Sequence, residues 1–130
     1  MKVLGFSHIT LNVNDLEKSL NFYCNSLKMR LRHKGKTDAY LEWGTAWICL
    51  IQRNKLGSTE QKSCGVDHVA FYISEEDFQE AVEQIEKMNI TIVRGPVQRG
   101  RGWSINFLDP DGIELELHTS NLDERMKVWI

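Results

Sequence analysis

The sequence predicts an α+β protein made of two β-α-β-β-β modules, at about 1–53 and 65–120, within a single domain of 130 residues. Three observations predict it. A weak internal repeat sets FSHITLNV, NDLEKSLNFYCNSLKM, RLRHK, DAYLEWG and AWICLIQ against VDHVAFYI, SEEDFQEAVEQIEKMN, ITIVRG, WSINFLDPDG and IELELHT. Each opening strand runs into a stretch of helical periodicity. His8 and His68 stand at equivalent points of those opening strands, 60 residues apart.

Each element follows from spacing. Alternate residues of a strand share a face, so Phe6, His8 and Thr10 point one way and Ser7, Ile9 and Leu11 the other. Leu16, Leu20, Tyr23 and Leu27 then recur at steps of 4, 3 and 4, with Glu17 and Lys18 facing outward, which is an amphipathic helix. Asn14 is the expected cap, with Glu17 as its capping-box partner. Residues 53–65 read as a polar linker. In the second half His68 shares a face with Val66, Ala70 and Tyr72, and Ser74 and Asp77 open a helix striped by Phe78, Val82, Ile85 and Met88. RGPVQRGRGW reads either as a flexible, positively charged loop suited to an anion or as a solvated hairpin loop. DPDG at 109–112 is a tight turn, with Pro second and Gly fourth. After it, Glu114, Glu116 and His118 face away from Ile113, Leu115 and Leu117.

Composition narrows the function. A 42% hydrophobic content supports a real core, although a short chain enclosing a polar site gains from a partner subunit. The net charge of −2, with both signs interspersed, argues against nucleic acid or an anionic membrane as partner. Cys24, Cys49 and Cys64 form no CxxC and read as reduced thiols; Cys49, within AWICL, reads as core. The N-terminal stretch meets Asn and Asp before any signal-length apolar run, and no stretch approaches the ~18 apolar residues of a membrane span, so the expected location is the cytoplasm.

The helices need apolar sheet faces to cover, and Ile9/Leu11 and Leu115/Leu117 supply them. His8, His68 and Glu116 are then left on the open, concave side. Two neutral imidazoles and one carboxylate suit a borderline divalent ion and leave positions for substrate oxygens. The set accommodates Mn, Fe, Ni, Co or Zn. Glu116, between two leucines in a central strand, needs a cationic partner most. By spacing alone, Glu114 and His118 are rival ligands. HExxH, GxxxxGK and GxSxG are absent.

Four stretches, GFSHITLNVNDLEKSLNFY, DAYLEWGTAWICL, VDHVAF and FLDPDGIELELHTSNLDERM, resemble the vicinal-oxygen-chelate (glyoxalase/bleomycin resistance/dioxygenase) superfamily. Within it they are most similar to the fosfomycin-resistance thiol transferases, over nearly the whole chain. The resemblance implies the paired-module glyoxalase-like fold and a cytoplasmic homodimer whose sites are shared between chains. It implies a divalent metal, Mn²⁺ foremost, on His8 of one subunit and His68 and Glu116 of the other. It implies Thr10 beside the epoxide, Tyr40 and Trp47 as aromatic neighbours, Ser104 as a substrate contact, and Arg125 on the phosphonate, with Arg99 or Arg101 assisting. The implied reaction adds a small thiol, glutathione or bacillithiol, to the epoxide of fosfomycin. Pro96 stands where the glutathione branch has a lysine and Asn106 where a tyrosine is usual, which removes the basis for a K⁺ site. The alternatives are an epoxide hydrolase with Glu42 activating water, a glyoxalase-like isomerase, and a metal-free ligand-binding resistance protein.

Overall fold

A computed structural model describes residues 1–2, 4–53 and 65–128, which form two compact units, Met1–Ser58 and Thr59–Ile130. The expected linker, Arg53 and Gly65 excepted, lies outside the described residues, as does Cys64.

In the first unit, strand β1 (Ile9–Val13) leads into helix α1 (Leu16–Leu20), then β2 (Arg30–Lys34), β3 (Asp38–Trp43) and β4 (Ala46–Gln52). The sheet order is β1-β4-β3-β2, with β1 parallel to β4 and the other pairs antiparallel. Leu11 and Val13 of β1, Ala39 and Leu41 of β3, and Ile48 and Leu50 of β4 form the buried face. Leu16, Leu20, Tyr23 and Leu27 are buried in the same unit. The helix differs from expectation in two ways. Its cap is Asp15, whose carboxylate accepts from the Lys18 N–H at 3.2 Å, because the chain turns helical one residue later than Asn14 requires. It also widens over Asn21–Ser26 into a π-helical segment, which buries the consecutive Phe22 and Tyr23 together, edge to face with centroids 5.1 Å apart.

The second unit repeats this order. Strand β5 (Val69–Tyr72) and helix α2 (Glu75–Lys87) precede β6 (Ile92–Arg99), β7 (Gly102–Leu108) and β8 (Glu114–His118), and the sheet order is β5-β8-β7-β6. Ser74 caps α2 as expected, accepting from the Asp77 N–H. Phe78, Val82 and Ile85 are buried, with α2 packed on β7; Met88 closes the helix and is 37% exposed. Ile105, Phe107, Leu115 and Leu117 complete the core.

RGPVQRGRGW is largely strand rather than a flexible loop. Only Gly100 and Arg101 turn the chain, with Gly100 at φ +64°, and register shifts in β6 absorb Gly95 and Pro96. The DPDG turn forms as expected: Gly112 N–H donates to the Asp109 carbonyl, and the Asp109 carboxylate accepts from Asp111 and Ile113 N–H, both at 2.8 Å. A short helix, α3 (Leu122–Val128), follows β8. No described helix is long and apolar enough to cross a membrane.

Truncating Phe107, which is fully buried, to Ala should cost about 3–5 kcal/mol of unfolding free energy in urea titrations. Asp15→Ala should cost about 0.5–2 kcal/mol as a lost helix cap.

Candidate metal and oxyanion site

In the second unit the alternation of β8 turns Leu115 and Leu117 into the core and Glu114, Glu116 and His118 to the other face. Parallel pairing sets Ala70 beside Glu116 and Tyr72 beside His118. His68, just ahead of β5, therefore faces the same side, and its Nε2 lies 3.3 Å from Glu116 Oε1. Its Nδ1 lies 2.8 Å from Asp67 Oδ2. On the other flank, antiparallel pairing sets Asn106 against Glu116 and Ser104 against His118.

Asn106 joins the two acids. Its Nδ2 donates to Glu114 Oε2 at 2.9 Å and to Glu116 Oε1 at 3.1 Å. Ionised carboxylates only accept, so the amide must turn its NH₂ toward them, which leaves Asn106 Oδ1 buried without a hydrogen-bond partner. His118 Nδ1 sits 3.3 Å from Glu116 Oε2, and Arg94 Nη2 is 4.0 Å from Oε1. Glu116 itself is only 8% exposed.

These groups border a cavity of about 360 Å³. Its lining includes three arginines, Arg94, Arg99 and Arg125, together with His68, Glu116, His118 and Ser104. Among the described residues, Glu116 is the one carboxylate in the lining. Arg125 comes from α3, whose start is capped by Asn121 Oδ1 accepting from the Glu124 N–H at 3.0 Å. Gly100 allows the close approach: a Cβ there would stand 2.9 Å from Arg125 Nη1. Arg101 is outside the lining and pairs with Glu124 at 3.4 Å. Lys127 by hydrogen bond and charge, and Arg101 more weakly, hold the Glu124 carboxyl below its ordinary range. That clamp on α3 is present above the ordinary carboxylate range and is lost only as pH falls through the depressed value.

The first unit presents a different face. His8 is exposed, its ring 4.3 Å from that of Trp47, and Ser7 Oγ lies 3.0 Å from its Nδ1. Trp47 meets Tyr40 edge-on at 5.9 Å. Thr10, Cys49 and Tyr40 form one cross-strand row, with the Cys49 thiol buried as expected. Glu42 and Arg32, with Tyr40 and Trp47, border a smaller cavity of about 250 Å³. The Glu42 carboxylate is taken up by Arg32 at 3.1 Å and Arg30 at 3.8 Å.

A family model described as the Glyoxalase/Bleomycin resistance protein/Dioxygenase superfamily matches residues 5–117. The metallothiol transferase FosB of Staphylococcus epidermidis is 38% identical over 130 residues, covering 99% of this chain and 91% of that protein. The glutathione transferase FosA of Serratia marcescens is 36% identical, over 94% of this chain and 85% of its own length. The chain belongs to this superfamily and, within it, to the fosfomycin-resistance proteins. Among solved members of that family, a mutant FosX from Listeria monocytogenes superposes with a TM-score of 0.79 at 30% identity, covering 97% of this chain and 98% of the other. That FosX was crystallised with Mn(II) and 1S,2S-dihydroxypropylphosphonic acid.

The donor set in this fosfomycin-resistance chain fits a divalent ion. An imidazole nitrogen and a buried carboxylate oxygen converge at 3.3 Å, and the nearest guanidinium stands off at 4.0 Å, beyond a tight ion pair. Asp67, His68 and Glu114 also offer donor atoms within 4.8 Å of one another. The structure brings together the expected His68, Glu116, Ser104, Arg99 and Arg125. His8, Thr10, Tyr40 and Trp47 share the open face of the other unit. Arg94 was not read as a site residue. Its signal was an arginine in a strand that alternation directs to the face of Asn106, its cross-strand partner, obscured by the Gly95-Pro96 interruption.

Replacing Asn106 by Ala strips a donor from two carboxylates at once. It should cost about 1–3 kcal/mol, measured by urea unfolding of the metal-free protein.

Proposed function

We propose that the chain is a metal-dependent enzyme that inactivates fosfomycin by opening its epoxide, with a low-molecular-weight thiol as nucleophile. The observation that carries this reading is the cavity in which the His68–Glu116 pair faces three arginines, a place for an ion beside a place for a dianion. The similarity to FosB and FosA supports the thiol.

In this reading His8, His68 and Glu116 are the metal ligands, with His8 contributed by a second copy of the chain in a homodimer. Mn²⁺ is the proposed ion, as in the FosX complex; Zn²⁺, Ni²⁺, Fe²⁺ or Co²⁺ suit the same donors. When bound, the ion supplies Lewis acidity toward phosphonate and epoxide oxygens. Arg125 and Arg99 neutralise the phosphonate, because a planar guanidinium matches two oxygens of an oxyanion at once. Ser104, whose buried hydroxyl has no hydrogen-bond partner, is placed to donate to it. Thr10 orients the epoxide oxygen, and Tyr40 and Trp47 wall the site. The thiolate forms a C–S bond as the ring C–O bond breaks, and the released alkoxide takes a proton. K⁺ is left out of this scheme because Pro96 and Asn106 depart from the residues of the potassium-using branch.

Water as the nucleophile is the second reading, favoured by the FosX neighbour, whose bound phosphonate is a vicinal diol. Glu42, the expected base, is paired with Arg32 and Arg30, which weighs on the side of the thiol.

Phosphorus NMR of fosfomycin with Mn²⁺-loaded protein separates the readings, with glutathione, cysteine, bacillithiol or no thiol in parallel. The expected result is a thiol-adduct resonance, with His68→Ala slowing its appearance by at least ~100-fold, the scale of losing oxyanion stabilisation. A diol formed without thiol establishes the hydrolase. No turnover in any tube removes fosfomycin as substrate.

A further inference from the structure

We propose that Asp67 is a positioning residue for His68, holding its ring in the tautomer and rotation that present Nε2 to a divalent ion. The inference rests on the metal reading above but concerns a contact within the protein. Asp67 Oδ2 lies 2.8 Å from His68 Nδ1, and Glu116 Oε1 lies 3.3 Å from Nε2. An ionised carboxylate has only acceptor sites, so a neutral ring in this contact carries its proton on Nδ1. The Nε2 lone pair then faces the Glu116 oxygen. Two lone pairs set toward each other form an arrangement that a cation between them resolves.

The first unit supplies an internal comparison. There too the preceding residue fills the imidazole Nδ1, with Ser7 Oγ at 3.0 Å from His8. A hydroxyl donates or accepts equally well, so Ser7 leaves the His8 tautomer open, whereas Asp67 fixes that of His68. An anionic partner on Nδ1 also raises the donor strength of Nε2. Asp67 is largely exposed, so its effect is one of orientation more than of long-range charge.

Asp67 is also near Glu114 and His68 in the cluster of donor atoms within 4.8 Å, which raises direct ligation as the rival role. The ring geometry argues against it. The two imidazole nitrogens diverge, and Asp67 occupies the Nδ1 side while Glu116 occupies the Nε2 side, so one ion on Nε2 and Glu116 is turned away from Asp67.

Two measurements on the full chain test this, using wild type, Asp67→Ala, Asp67→Asn and His68→Ala. Long-range ¹H–¹⁵N NMR of the metal-free protein, above the ordinary imidazole titration range, reads the tautomer. The expected ring is protonated on Nδ1 in wild type and in Asp67→Asn, whose side-chain oxygen accepts the same bond, and not in Asp67→Ala. Mn²⁺ titration followed by the EPR signal of the free ion should show Asp67→Ala weakened about 10–100-fold, with Asp67→Asn close to wild type. A wild-type ring protonated on Nε2, or unchanged Mn²⁺ affinity in Asp67→Ala, overturns the proposal. So does Asp67→Asn as weak as His68→Ala, which makes Asp67 a ligand. A wild type that takes up no Mn²⁺ sinks the metal reading alone, because the tautomer measurement needs no metal and still decides Asp67's hold on the ring.

Discussion

A carboxylate sits where the sheet of the second unit would otherwise be closed, and the surrounding residues are arranged to make that tolerable. Removing an unpaired carboxylate from water costs several kcal/mol even after relaxation. Glu116 is 8% exposed, between Leu115 and Leu117 on a strand flanked by β5 and β7. Asn106 donates to it from one side, and His68 and His118 stand at 3.3 Å from its two oxygens. The nearest guanidinium, that of Arg94, stays at 4.0 Å. The site thus offers donor atoms that suit a small cation, and three arginines line the same cavity.

Much of this was legible because strand alternation is a rigid rule. Once Leu115 and Leu117 are assigned to the core, Glu114, Glu116 and His118 have no choice of face, and the repeat carries His68 to the neighbouring strand. Spacing alone does not rank Glu114 against Glu116. The family resemblance is what singles out Glu116; the cross-strand register puts Asn106 level with Glu116 and within reach of both acids. Asn106 was visible in the sequence only as a departure from a tyrosine; its double donation is a tertiary fact.

The misreadings share a cause, which is that local composition was weighed above geometry. Gly and Arg in RGPVQRGRGW left a flexible loop and a hairpin both open; the hairpin forms, turned by two residues, and bulges accommodate Gly95 and Pro96 within β6. Asn14 is a good cap by type, but Asp15 holds the cap position because the helix starts at Leu16. The π-helical segment is invisible to a 3.6-residue period, since Tyr23 already fits the stripe and only the burial of Phe22 beside it departs from it. Helix α3 was passed over, although Asn121 followed three residues later by Glu124 is a helix-start pattern. That helix brings Arg125 to the cavity wall.

The central claim, that a divalent ion sits on Glu116 and His68, is tested most directly by counting bound Mn²⁺ per chain in the wild type, Glu116→Gln and Glu114→Gln. The account predicts one ion per chain in the wild type, little change in Glu114→Gln, and loss of the ion in Glu116→Gln. Full occupancy in Glu116→Gln, or loss in Glu114→Gln alone, would contradict it and move the ion to the Asp67–His68–Glu114 cluster.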